Sequence, residues 1–436
     1  MSAMAPRRCT PEEAAHLVHT RDTIASGLGP GIPPAFFTAL GERDDWEELI
    51  IGGALLLDYY KVLTKPGVSF RSGFFGPAER ILSAEGYNVD LVPGGFRQFG
   101  PILSMFPPRI MAAQAAPADS AGNLNLSLHL GATYDELLAA GRDPERLLFI
   151  EVNPHLPRTR SLPPYDNTLP LDIVDVLIEA TDEPFTLEES VPDEIDTMIA
   201  TNALMFVTDG ATLQTGIGGV PSMVATRLAE GSGGDYGIHS EMFTNGLMRL
   251  HQAGKVTNAK GLFDGVSVVT FALGSAELYR WLDDNPEVVF LPVEAVNEPS
   301  TIARNRKLVS VNGALAVDLY GQVVADCIDG EQISGVGGHE DFLAAADVNL
   351  DHNSLVCLRS TVTIGGELRS RIMGQLPAGT VVSTPRHHTS VVVTEYGAAK
   401  VTGMTVKERA RALAQIAHPD FREELCAQAE TLGPCC

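Results

Sequence analysis

Positive charge is scarce in this chain of 436 residues: 31 lysines and arginines face 55 aspartates and glutamates. The resulting net charge of −24 argues against nucleic acid or an anionic membrane surface as a partner. Any anionic ligand must therefore be held by local groups. Long apolar runs are missing too, and no uninterrupted stretch approaches the roughly 20 residues that a membrane span needs. The six cysteines (Cys9, Cys327, Cys357, Cys426, Cys435, Cys436) lack metal-ligand spacing, so no metal site is expected. The start, Met1 to Arg8, has no apolar core of a signal peptide, and a reducing cytoplasm is the expected location. Cys435-Cys436 lacks the polybasic lead-in of a prenylation signal. No Gly-x-Ser-x-Gly elbow frames a serine, which sets aside a hydrolase built from Ser240 and His239.

What is present reads as α/β throughout. The length exceeds one ordinary core, so two domains are expected. The stretch Thr181 to Ser190, charged and carrying Pro184, looks like the connection between residues 1–188 and 189–436. Thr10, with Pro11 and Glu13, predicts a capped opening helix as far as Val18. Glu48 to Ile51 and Leu147 to Val152 predict strands. In the second half, Pro192 to Val207 predicts a helix with Ile195, Met198, Ile199 and Met205 on one face. Ala211 to Thr215 predicts a strand, and Pro221 a new helix. Val266 to Leu273 and Val288 to Val293, flanking a helix over Ser275 to Leu282, predict a βαβ crossover in a mostly parallel sheet. The two halves show no sequence repeat.

Three segments carry chemistry. Gln214-Thr215-Gly216-Ile217-Gly218-Gly219-Val220-Pro221 is a glycine turn between strand and helix, where backbone N–H groups can approach an anion. It lacks the last glycine of a dinucleotide fingerprint and the lysine of a P-loop, so a plain tight turn is an equal reading for it alone. Gly335-Val336-Gly337-Gly338-His339-Glu340-Asp341-Phe342 repeats the theme before a helix expected over Glu340 to Ala346. Gly237-Ile238-His239-Ser240-Glu241-Met242-Phe243 places one carboxylate just beyond a short strand, the end of α/β sheets where ligands gather. A lone glutamate is usually a solvated side chain, and its placement between two glycine turns singles out Glu241. His239, two residues away, reads as structural.

At these residues the chain resembles the acetyl-CoA hydrolase/transferase family, in its branch of 4-hydroxybutyrate and butyrate:acetate CoA-transferases. The likeness runs from Glu151-Val152-Asn153-Pro154-His155-Leu156-Pro157-Arg158-Thr159 through the three segments above. It continues through Val309 to Asn312, Asp318 to Val323 and Val393 to Gly397, and ends at Ile416 to Arg422. The resemblance implies two similar α/β domains with mostly parallel sheets and an active site in the interdomain cleft. It implies ping-pong transfer through a glutamyl-CoA thioester on Glu241, with the Val220 and Gly338 amides as oxyanion hole. Coenzyme A would be bound by Gly216, Ile217, Gly218, Gly219, Val220, Gly335, Gly337 and Gly338, as a substrate and not a permanent cofactor.

The expected partners are acyl-CoA and a small carboxylic acid such as acetate, butyrate or 4-hydroxybutyrate, with room for a homo-oligomer. Alternatives are an acyl-CoA hydrolase using the same glutamate, a transferase for a dicarboxylic acid such as succinate or itaconate, and a CoA-binding protein that no longer catalyses. The chain departs from its relatives at Met105 in Ser104-Met105-Phe106-Pro107, where many carry glutamate, and at His339-Glu340, where they commonly carry Gln-Val. Phe96, Phe99 and Met105 are expected to make an apolar acyl wall, and Arg97 either clamps a second carboxylate or faces solvent.

Overall fold

Thr10 shows how local sequence sets an element. Its hydroxyl accepts from the Glu13 N–H at 3.2 Å while the Glu13 carboxylate accepts from the Thr10 N–H at 3.0 Å. This closes the expected capping box on α1 (Pro11–Ala15), a helix that ends three residues before Val18. The computed structural model describes residues 5–433, so Cys435-Cys436 lies outside the described residues. The chain divides into two compact units. The first holds the chain up to Leu187 together with Val268–Val296, and the second holds Glu188–Ser267 and the chain from Asn297 onward. The change at Leu187/Glu188 falls within the charged connection, while Val268–Val296 returns to the first unit and interrupts the second half.

The first unit is built on an eight-stranded sheet of β1 (Arg7–Cys9), β2 (Arg21–Ser26), β3 (Glu48–Gly53), β4 (Val68–Ser72), β5 (Val89–Leu91), β6 (Ile110–Ala115), β7 (Leu147–Val152) and β8 (Val176–Glu179). The order is β1-β8-β7-β6-β2-β3-β4-β5, and every pairing is parallel. All six residues of β6 are buried, as a parallel strand covered on both faces requires. Above one face, α2 (Pro34–Gly41) contributes Phe36 and Phe37 to a core with Phe70 and Phe149. The expected acyl wall is a correction. Phe96 and Phe99 are buried, with rings 6.2 Å apart and Phe96 5.8 Å from Phe271, whereas Met105 is 71% exposed. Two of the three side chains thus serve the unit's own packing.

The second unit carries a six-stranded sheet: β9 (Thr212–Thr215), β10 (Gly237–Ile238), β11 (Leu308–Gly313), β12 (Asn353–Cys357), β13 (Val391–Thr394) and β14 (Gly397–Lys400). Its order is β10-β9-β11-β12-β13-β14, parallel except for the β13–β14 hairpin at the edge. From β9 the chain goes to β10 on one side and to β11 on the other. The winding therefore reverses between β9 and β11, and the carboxyl ends of strands at such a switch are where α/β sheets bind ligands.

Two local expectations change. The runs Val266 to Leu273 and Val288 to Val293 join neither large sheet. The first is broken at Thr270, and Ser267–Val269 pairs with Val288–Phe290 as a separate ribbon. Continuous apolarity reports burial and does not say which sheet receives the strand. In α3 (Glu194–Ala203) the buried residues are Ile199, Ala200 and Ala203, while Met198 and Met205 are exposed.

Candidate active site

β9 ends at Thr215 and the chain turns through Gly216 and the exposed Ile217 into α4 (Gly219–Glu230), two residues earlier than Pro221 suggested. Gly218 sits at φ +115°, a conformation open to glycine and strained for other residues. As the second residue of α4, Val220 keeps a main-chain N–H with no intrahelical acceptor. A Cβ at Gly219 would collide with the Asp196 carboxylate. Asp196 in turn bonds Arg359 at 2.8 Å. The head of α4 is therefore already approached by an internal, arginine-paired carboxylate.

Glu241 follows the last residues of β10 beside this turn. The Ser240 hydroxyl donates to the Thr215 carbonyl at 3.2 Å, which fixes the segment against the end of β9. His239 is fully buried, with Nδ1 3.1 Å from Asn305 Nδ2. The strand stops at Ile238, so the alternation that would have put His239 and Glu241 on one side does not persist, and His239 takes the structural part.

The Glu241 carboxylate is met by the other glycine turn. Gly337 lies at φ +56°, and Gly338 caps α5 (His339–Val348), which begins one residue earlier than expected. A Cβ at Gly338 would collide with Glu241 Oε2 and with Asn297 Nδ2, so only a bare backbone fits against this carboxylate. Gly335 is buried just behind. Asn297 donates through Nδ2 to Glu241 Oε2 at 2.7 Å and to Asp341 Oδ2 at 3.3 Å. Among the described residues nothing donates to Glu241 Oε1. Burial raises the Glu241 pKa to about 7, the nearby Asp341 carboxylate adds to the rise, and the Asn297 bond opposes it. The group is a desolvated carboxylate with one oxygen held and one open, facing a helix head whose first N–H groups have no intrahelical partner.

The structure thus brings Glu241 and Gly338 together and sets the Gly216–Val220 turn on the adjoining strand end. The sequence reading passed over Asn297. Its partner lies 56 positions away, and a single asparagine before Glu298-Pro299 carries no periodic signal. A buried amide beside two carboxylates is visible only in three dimensions. Among the described residues no group of three or more His, Cys, Asp or Glu is placed to hold a metal ion. No helix among them is long and apolar enough to cross a membrane.

The chain belongs to the acetyl-CoA hydrolase/transferase family, and residues 274–429 match that family's C-terminal domain. It is an enzyme of the CoA-transferase class. Butyryl-CoA:acetate CoA-transferase of Anaerostipes caccae is 32% identical over 97% of this chain and 95% of its own length. Succinyl-CoA:cyclohexane-1-carboxylate CoA transferase of Geobacter metallireducens is likewise 32% identical, over 98% and 95%. The crystal structure of RipA from Yersinia pestis matches with a TM-score of 0.87 at 30% identity, covering 97% of each chain.

Proposed function

We propose that the protein is an acyl-CoA:carboxylate CoA-transferase that works through a glutamyl-CoA thioester on Glu241. The observation that carries this reading is the desolvated Glu241 carboxylate, held at one oxygen by Asn297 and pressed against the bare backbone of Gly338. The free oxygen attacks the thioester carbonyl, the C–S bond breaks, and CoA leaves as thiolate from an acyl-glutamyl anhydride. The thiolate then attacks the glutamyl carbonyl and releases the first acid as carboxylate. A second carboxylate attacks the glutamyl-CoA carbonyl, the thiolate leaves again, and its attack on the incoming acyl carbon returns Glu241. Each step exchanges one activated acyl bond for another, so no external energy source is needed.

In this reading the N–H groups of Val220 and Gly338 receive the developing oxyanion, a donor typically contributing about 3 kcal/mol to the barrier. The turns of Gly216, Ile217, Gly218 and Gly219 and of Gly335, Gly337 and Gly338 hold coenzyme A. Relatives named for butyrate and acetate support a small carboxylic acid as the acceptor. Cys9, Cys327, Cys357 and Cys426 are unpaired, which suits a cytoplasmic location.

Incubation with acyl-CoA, borohydride reduction and peptide mass analysis tests the mechanism. Reduction of the thioester is expected at Glu241. An enzyme that exchanges CoA while Glu241 stays unmodified would end this mechanism.

A further inference from the structure

The first turn of α5 is held from two sides. On one side Gly338 and Asp341 face Glu241 and Asn297. On the other, His339 and Glu340 meet the segment Thr384 to His388. The Thr384 hydroxyl donates to Glu340 Oε2 at 2.8 Å, and having only one proton it accepts from His339 Nε2 at 3.0 Å. His339 is neutral, its pKa pulled down to about 4 by burial, and this bond puts its proton on Nε2. Glu340 Oε1 bonds His388 Nδ1, and His388 Nε2 lies 3.5 Å from Asp347 Oδ2, two turns further along the same helix.

Through Nδ1 the His388 imidazole bonds one carboxylate of the helix, and its Nε2 edge faces a second. The opposite side of the clasp is itself anchored. Thr384 pairs through its backbone with Val323, the Thr389 hydroxyl donates to the Gly321 carbonyl at 2.7 Å, and the Arg409 guanidinium donates to the Arg386 and Tyr320 carbonyls. His387 stacks edge-on against His388, with ring centroids 4.5 Å apart.

We propose that His388 is a positioning residue for the transfer reaction: by tying Glu340 to an anchored segment and packing its other edge against Asp347, its imidazole fixes the head of α5 and hence the Gly338 backbone against Glu241. The inference rests on the reading of Glu241 as nucleophile. It predicts a cost in turnover and not in thioester binding, because what shifts is the geometry at the reacting carbon.

The test uses the full-length enzyme in a CoA-exchange assay with acetyl-CoA and butyrate, beside Glu241→Ala as reference. His388→Ala is expected to lower kcat by about tenfold or more, with KM for the thioester changed by less than about twofold. Added imidazole should restore part of the loss, since the His388 side chain is partly open to solvent. His388→Gln, closer in volume, should lose a similar factor without imidazole rescue, and an unchanged melting temperature shows that it folds. A kcat for both variants equal to wild type overturns the proposal, as does a loss that imidazole leaves untouched and that raises KM in parallel. Wild-type enzyme with no exchange activity, or with activity that survives Glu241→Ala, sinks the nucleophile reading and this inference with it.

Discussion

Glu151 in the first unit, buried, and Glu241 in the second, half-buried, are both desolvated carboxylates at the carboxyl ends of parallel strands. Burial raises the pKa of each to about 7. Their surroundings differ. Glu151 is fully enclosed, and its two oxygens accept from Ala35 N at 3.3 Å and Phe36 N at 2.9 Å in the first turn of α2. Those are amides that a helix leaves without partners, so Glu151 serves as a side-chain cap and both its oxygens are committed. Glu241 is held at one oxygen by a side-chain amide, has Asp341 nearby, and faces a helix head at Gly338 that it does not cap. A raised carboxyl pKa by itself reports desolvation. Which backbone or side chain uses the oxygens separates a structural carboxylate from one available for chemistry.

The contrast can be broken most directly at the nucleophile. Glu241→Ala is expected to lower kcat by about 10⁴-fold or more in a CoA-exchange assay, with the fold retained by circular dichroism. Its stability should respond in the opposite sense to pH from a paired surface carboxylate. With a folded pKa near 7, above the ordinary carboxyl value of 4.5, the wild type loses stability as pH rises between those values, and a Glu241→Gln variant should lack that decline.

Gly338→Ala comes next, at about 10²- to 10³-fold in kcat, because the added methyl displaces the Glu241 carboxylate and shifts a proposed oxyanion donor. Asn297→Ala is expected to cost about tenfold to a hundredfold and to sharpen the comparison through pH. In the wild type kcat should fall about tenfold per unit below pH 7 as Glu241 takes up its proton. Asn297 is the contact that lowers the Glu241 pKa, so its loss should move that inflection to higher pH, measured as kcat against pH. The smallest effect on activity belongs to Glu151→Gln. Turnover should stay within about twofold while urea unfolding shows a loss of about 1–2 kcal/mol from the weakened cap on α2.

Much of the scaffold was legible from local chemistry. The Thr10–Glu13 box closes as read, Leu147–Val152 is a strand with the bounds expected, and the turn at Gly216 to Gly219 links strand to helix. These features depend on neighbours in the chain. What escaped depends on distant partners. The burial of Phe96 against Phe271 needs residues 175 positions apart to meet, so an aromatic pair that looked like a pocket wall is core. Asn297 was silent for the same reason, since its meaning comes from Glu241 and Asp341 together. The return of Val268–Val296 to the first unit is likewise invisible to periodicity, which registers only that the segment is apolar.

The vacancy at residue 338 has a consequence for how substitutions combine. Glu241 Oε2 occupies the volume that a side chain at 338 would need, so the two positions share one space. Alanine at 338 meets both the Glu241 carboxylate and Asn297 Nδ2, and shortening the glutamate removes the closer of the two clashes. In Glu241→Ala only the Asn297 side chain has to give way, and adding Gly338→Ala to that variant should cost less stability than adding it to wild type. A double-mutant cycle on unfolding free energy should therefore show a coupling of about 1–3 kcal/mol between residues 97 positions apart, and additive behaviour would mean that the carboxylate does not rest on the glycine in solution.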